Sequence, residues 1–179
     1  MRRVLCRLSF LINVFLLVPG ITSSWAQNPT YQLIVESGGY TDFKLHTLSQ
    51  YDGGMTYTNW TRLKVVYKDT TSGIQRDKWF LSFKANTPEF ESSVDGRTLP
   101  LNSISLFIES LTAQTTGRDG TLYQGPHSVS DGYIPLVENG DEGTFHIEIS
   151  YNLDSPLLGH QPDYYITQLI FKMDTIPIP

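Results

Sequence analysis

Cysteine is nearly missing from this chain: Cys6 is the only one. It lies in the first 26 residues, so a chain starting at Gln27 has no disulfide to rely on. It also has no thiolate for catalysis or zinc. Basic residues are scarce as well, 13 Lys+Arg against 18 Asp+Glu. Three of the 13, Arg2, Arg3 and Arg7, fall in the leader, which has no acid, so residues 27–179 carry 10 against 18, a net −8. That balance excludes nucleic acid and anionic lipid as expected partners. No apolar run is long enough to span a bilayer. Leu8 to Val18 is interrupted only by Ser9 and Asn13 and covers about 11 residues, against the ~20 a transmembrane helix needs.

The leader nevertheless has a clear design. Its arginines form a positive n-region, and the apolar run follows. Pro19-Gly20 breaks any helix, and Ser24-Trp25-Ala26 gives a small-x-small cleavage site. Residues 1–26 therefore read as a secretory signal peptide, and residues 27–179 as the exported chain. Cys6 precedes the apolar run, where a lipoprotein cysteine would follow it. An exported domain without disulfides suits a bacterial envelope, with the periplasm, cell surface or extracellular space as its place. Asn59-Trp60-Thr61 matches a glycosylation acceptor, a tripeptide common by chance.

The remaining sequence is dominated by two-residue alternation. In "GTFHIEISYNL", residues 143–153, Phe145, Ile147, Ile149, Tyr151 and Leu153 are large and apolar, with polar residues between them. Such a run makes a strand with one dry face and one wet face. Tyr31-Leu33-Val35, Leu63-Val65-Tyr67, Trp79-Leu81-Phe83-Ala85 and Ile104-Leu106-Ile108 repeat the pattern, and Phe43-Leu45 begins a weaker copy. Residues 105–116 also admit a short helix with Leu106, Phe107 and Leu111 on one face, although the threonines oppose it. Residues 117–126 read as a loop, and Val129 to Leu136 as containing a short strand. Tyr165, Leu169, Phe171 and Met173 make a closing strand. Asp52-Gly53-Gly54, Ser72-Gly73 and Asp95-Gly96 read as breaks or turns. Ile176-Pro-Ile-Pro179 is a short tail, because proline lacks a ladder donor.

About eight to ten short strands follow, which predicts an all-β, antiparallel β-sandwich. No fixed-period repeat and no linker divides residues 27–179, so a single domain of about 150 residues is expected, large enough to bury about 70% of its unfolded surface.

Catalytic chemistry finds no constellation. His46, His127, His146 and His160 lack metal-ligand spacing, and His146 falls on a solvated strand face. His127-Ser128 lacks nucleophile-elbow glycines. Glu89-Phe90-Glu91 and Asp141-Glu142 are acidic neighbours without a cleft architecture to pair them. Asn139-Gly-Asp-Glu-Gly143 offers oxygen ligands in a loop, but without calcium-loop spacing; a polar hairpin turn before the strand is the stronger reading. The sequence therefore assigns no catalytic residue, cofactor or metal. Trp60 and Tyr57, with Tyr40 and Tyr51 nearby, are the candidate stacking platform for a sugar. Core filling competes with that role, and Trp79 belongs to the core.

The order "KWFLSFKAN", "LPLNSISLFIE", "GTFHIEISYNL", "DYYITQLIFKM" resembles bacterial pilin-like and spore-coat-U-like secreted domains over residues 60–173. The resemblance lies in a Trp-bearing early strand, a penultimate strand ending Tyr-x-Leu and a closing strand carrying Tyr165, Leu169, Phe171 and Met173. It implies an immunoglobulin-like sandwich with a structural or adhesive role, possessing an open edge that a protein partner's strand completes. The chain departs from these domains in lacking disulfide cysteines and a long N-terminal extension, Gln27 to Val35 being short for one. A carbohydrate-binding module built on Tyr57 and Trp60 is the alternative.

Overall fold

The computed structural model describes residues 29–39, 53–69, 77–92, 96–115, 118–153 and 165–176. The leader, Phe43-Leu45, Tyr40, Tyr51, His46, His160 and the Ser72-Gly73 break lie outside them. Among the described residues twelve strands run in chain order: β1 Thr30–Ser37, β2 Met55–Lys68, β3 Lys78–Ala85, β4 Glu89–Ser92, β5 Thr98–Pro100, β6 Ile104–Ala113, β7 Thr121–Leu122, β8 His127–Ser128, β9 Ile134–Gly140, β10 Gly143–Leu153, β11 Tyr165–Ile166 and β12 Leu169–Ile176. A 3-10 turn, Leu101–Ser103, links β5 to β6.

Every pairing is antiparallel. A five-stranded sheet has the order β1-β2-β10-β6-β8, a four-stranded sheet β12-β3-β9-β7, and a three-stranded sheet β11-β4-β5. The two larger sheets share one core. Leu63, Val65 and Tyr67 of β2 and Phe145, Ile147 and Ile149 of β10 are fully buried, as are Trp79, Leu81 and Phe83 of β3 and Leu136 and Val137 of β9. Phe90, Leu99 and Leu101 bring the small sheet onto the same core. The chain is thus an all-β antiparallel sandwich.

Trp79 shows how the layers lock. Its ring meets Phe145 of the opposite sheet edge-on, with centroids 5.2 Å apart. Its indole N–H donates to the Asp141 carbonyl at 2.8 Å. The ring lies against Gly140, where an added Cβ would stand 2.0 Å from Trp79 Cε2. Only glycine at position 140 admits this ring.

Sequence alternation and observed burial agree along β10: Phe145, Ile147, Ile149, Tyr151 and Leu153 face the core. Glu148 lies on the opposite face of a central strand, accepting a hydrogen bond from Ser110 Oγ at 3.2 Å. Residues 104–113 are strand β6 and not a helix, because β10 pairs along their whole length. The expected 117–126 loop includes β7, a two-residue strand paired to β9. The strand count exceeds the expected eight to ten because β7, β8 and β11 are two-residue pieces too short to show alternation.

The expected closing strand is divided. Tyr165–Ile166 pairs with β4 in the small sheet, whereas Leu169–Ile176 pairs with β3. The chain changes sheets at Thr167-Gln168, held by Asn86 N donating to Gln168 O at 2.8 Å and by a Thr87–Thr167 hydroxyl contact at 2.8 Å. In β9, the adjacent buried pair Leu136-Val137 breaks alternation. Register shifts opposite β3 add residues there, turning consecutive side chains to the same side.

Ile149→Ala should cost about 2–5 kcal/mol through the cavity it leaves. Glu148→Ala should cost less than about 1 kcal/mol, since it removes one partly solvated hydrogen bond. Urea unfolding of both variants checks this; equal costs would contradict the assigned faces.

Candidate functional site

Tyr57 and Trp60 do meet. Neighbours three apart in a regular strand point to opposite faces. Here Thr61 pairs with Ile149 and Tyr57 with Tyr151, so β2 has four steps where β10 has two. Asn59 absorbs the excess in the left-handed region, φ 49°. Asparagine tolerates that region better than most residues. Its N–H donates to Ser150 Oγ at 2.8 Å. The bulge brings the Tyr57 and Trp60 ring centroids to 4.9 Å at an interplanar angle of 62°. Trp60 is 40% exposed, and Tyr57 is half-buried. Edge-on rings make no continuous plane, so the flat surface on offer is a single ring face.

The bulge is tied to the end of β1. Gly38 has φ 65°, and a Cβ there would lie 2.0 Å from the Trp60 carbonyl oxygen. Thr61 Oγ1 donates to Gly38 O at 2.7 Å and accepts from Tyr151 Oη at 2.9 Å. Three strands therefore meet at one buried hydroxyl.

A second feature escaped the sequence reading. Tyr31, Leu33 and Val35 pair with Tyr67, Val65 and Leu63, which places them on the core side of the sheet. Their β2 partners are 0% exposed, yet Tyr31 is 50% and Val35 49% exposed. Core cover thins across β1, where Leu33 still packs partly buried against the core and Tyr31 and Val35 on either side of it stay exposed. Among the described residues β1 is also an edge strand, with one backbone side outside the ladder. The alternation signalled a dry face, but chain position could not show that the opposite sheet stops short of it.

The outer face near β1 is polar and internally matched. Glu36, at a register shift, accepts from Arg62 Nε at 3.2 Å and from His146 Nδ1 at 3.1 Å. Gln114 Nε2 lies 2.9 Å from His146 Nε2. Both ring nitrogens of His146 are thus engaged, Nδ1 by Glu36 and Nε2 by Gln114. His146 is therefore an engaged residue with a side chain 14% exposed, and not a freely solvated one. His127 Nε2 lies 2.8 Å from the Tyr123 carbonyl oxygen. The described residues contain no group of three His, Cys, Asp or Glu arranged for a metal ion.

The 139–143 segment is not the expected hairpin turn: it carries the chain from β9 in the four-stranded sheet to β10 in the five-stranded sheet, with Asn139 at φ 55°. Asp141 accepts from the Asp119 N–H at 3.0 Å and pairs with Lys78 Nζ. Burial alone would raise its pKa; the Lys78 and Asp119 hydrogen bonds and the nearby Arg118 charge hold it below the usual carboxylate range. Glu142 lies 4.0 Å from Arg118. The turn's two carboxylates thus face the protein's own cations.

No known protein family matches the chain, and no curated protein is similar to it in sequence. No helix among the described residues is long and apolar enough to cross a membrane.

Two buried phenols give opposite expectations. Tyr67 Oη is buried without a hydrogen-bond partner, whereas Tyr151 Oη has Thr61. Tyr67→Phe should leave stability unchanged or raise it by about 1 kcal/mol, and Tyr151→Phe should lower it by about 1 kcal/mol. Burial first, with Asp69, Asp77 and Glu142 adding to it, pushes Tyr67 up to about 12. Burial pushes Tyr151 to about 12 against the opposing Thr61 hydrogen bond. The folded chain holds these protons more tightly than the unfolded chain, whose tyrosines titrate near 10.0. Their stabilisation is intact below pH 10 and is lost as the pH rises through 12. Urea midpoints across that range check the sign, and Tyr151→Phe should flatten the decline.

Proposed function

We propose that this is a non-enzymatic exported protein of the bacterial envelope that assembles with further copies of itself through β1, as a pilus-like or adhesive subunit. The carrying observation is the core-facing row Tyr31-Leu33-Val35 on a sheet edge, where Tyr31 and Val35 are half-exposed on either side of a partly buried Leu33.

Sheet edges are usually blunted by charge, proline or a bulge. Thr30-Tyr-Gln-Leu-Ile-Val35 has none of these over six residues. The register shift and Glu36 come only after it. The edge strand of the other large sheet, β12, does carry charge, in Lys172 and Asp174. An uncharged, β-prone hexapeptide whose outer backbone side pairs with no described strand is suited to strand addition, where main-chain bonds supply affinity and alternate side chains fill the exposed row. The signal-peptide pattern and the resemblance to secreted pilin-like domains support the same reading.

Sedimentation of protein extracted from the envelope tests this. Wild type should form assemblies, and Val35→Lys should yield monomers with the wild-type urea midpoint, since the side chain is already half-exposed. Monomeric wild type, in extracts and after purification, would overturn the proposal.

A second reading, glycan binding, rests on the bulge that joins Tyr57 to Trp60. A glycan array with the purified chain tests it: Trp60→Ala should abolish retention, and equal retention would remove the reading.

A further inference from the structure

The outer face of the four-stranded sheet carries a cluster that neither function uses. Tyr133 precedes β9 and is 49% exposed. Its ring centroid is 5.1 Å from Lys84 Nζ and 5.7 Å from Lys172 Nζ. Lys84 is on β3 and Lys172 on β12, where their cross-strand partners are Ile170 and Ser82. The two lysines are thus diagonal neighbours on one face. Ser82, between them, is only 6% exposed although Leu81 and Phe83 beside it point to the core. The ring therefore reaches across β3 toward β12, above a closely covered floor.

The charges in this cluster are unevenly matched. Lys172 Nζ pairs with Asp174 at 2.6 Å. Lys84 has its aromatic contact but no ion pair with a carboxylate among the described residues. Acids elsewhere outnumber bases, so an uncompensated ammonium beside an exposed ring is unusual for this chain. Exposed cation–π contacts are weak, worth about 0.5–1 kcal/mol, so stability alone accounts poorly for the arrangement.

We infer that Tyr133, Lys84 and the Lys172–Asp174 pair form a binding site for an acidic saccharide, a uronate or sialate unit. The ring offers a surface to the C–H face of a pyranose. Lys84 meets the carboxylate, and Lys172 with Asp174 supplies a donor and an acceptor for hydroxyls. An acidic peptide fits less well. β3 is paired on both sides, by β12 and β9, and at the sheet edge beside the cluster, β12, Asp174 would meet the peptide's own carboxylates.

The purified chain is applied to an array of uronate- and sialate-bearing glycans beside their neutral counterparts. The strongest acidic glycan is then titrated calorimetrically. The acidic form should bind about tenfold or more tightly than the neutral form, the effect of one charge contact worth about 1.4 kcal/mol. Lys84→Gln and Tyr133→Ala should each weaken binding about tenfold, while Lys84→Arg and Tyr133→Phe retain it. Lys64→Gln, on β2 of the five-stranded sheet, should change nothing here, which separates this site from a general effect of positive charge. The arginine and phenylalanine variants keep the test decisive if either truncation unfolds. Equal binding of acidic and neutral glycans, wild-type binding by Lys84→Gln or Tyr133→Ala, no retention of any acidic glycan, or equally tight binding of a polyglutamate peptide would each overturn the inference.

Discussion

The register of β10 is the constraint on which the five-stranded sheet depends. This strand pairs with β2 on one side and β6 on the other, so its strict alternation fixes which face of three strands is dry. A slip by one residue would turn Phe145, Ile147 and Ile149 to water and bring His146 and Glu148 against Trp79. Charge in that interior costs far more than a strand pairing returns. Trp79 completes the arrangement from the opposite layer. It touches Phe145, hydrogen-bonds the Asp141 carbonyl and occupies the space that Gly140 leaves open. The inter-sheet connection leading into β10 is therefore fixed by the same ring that packs on it.

Departures from regular pairing create the chemically useful surface. The Asn59 bulge joins two aromatic residues that a regular strand would separate. Ser150 Oγ accepts from the displaced Asn59 N–H, and Thr61 Oγ1 donates to Gly38 O while accepting from Tyr151 Oη. At β1 the departure is one of extent, because core-facing side chains continue past the limit of their cover. At Tyr133 a residue outside a regular strand lays an aromatic ring over lysines from two strands. Each feature lies at the end, edge or outside of the sandwich, where function can vary without disturbing the β10 register.

Alternation made the class, most strand faces and the core role of Trp79 readable from consecutive residues. Tyr57 and Trp60 were legible as neighbours, but their edge-on geometry depends on a bulge that opposes a strand 91 residues away. The division of the closing segment was not legible. Thr167-Gln168 continues a β-prone sequence, and only its contacts with Asn86 and Thr87 show the change of sheet. Strands of two residues lack the length to display a period.

The sequence by itself determined the two-faced strands and the residues that must be dry, because side-chain direction in a strand repeats every two residues and needs no distant partner. It also determined the acidic balance and the leader-like first 26 residues. Tertiary structure alone decided which strand became an edge, how far the opposing sheet covers it, and which aromatic rings meet which cations. Those outcomes depend on pairings between residues far apart in the chain, where loop paths, bulges and the limits of two packed sheets set the geometry.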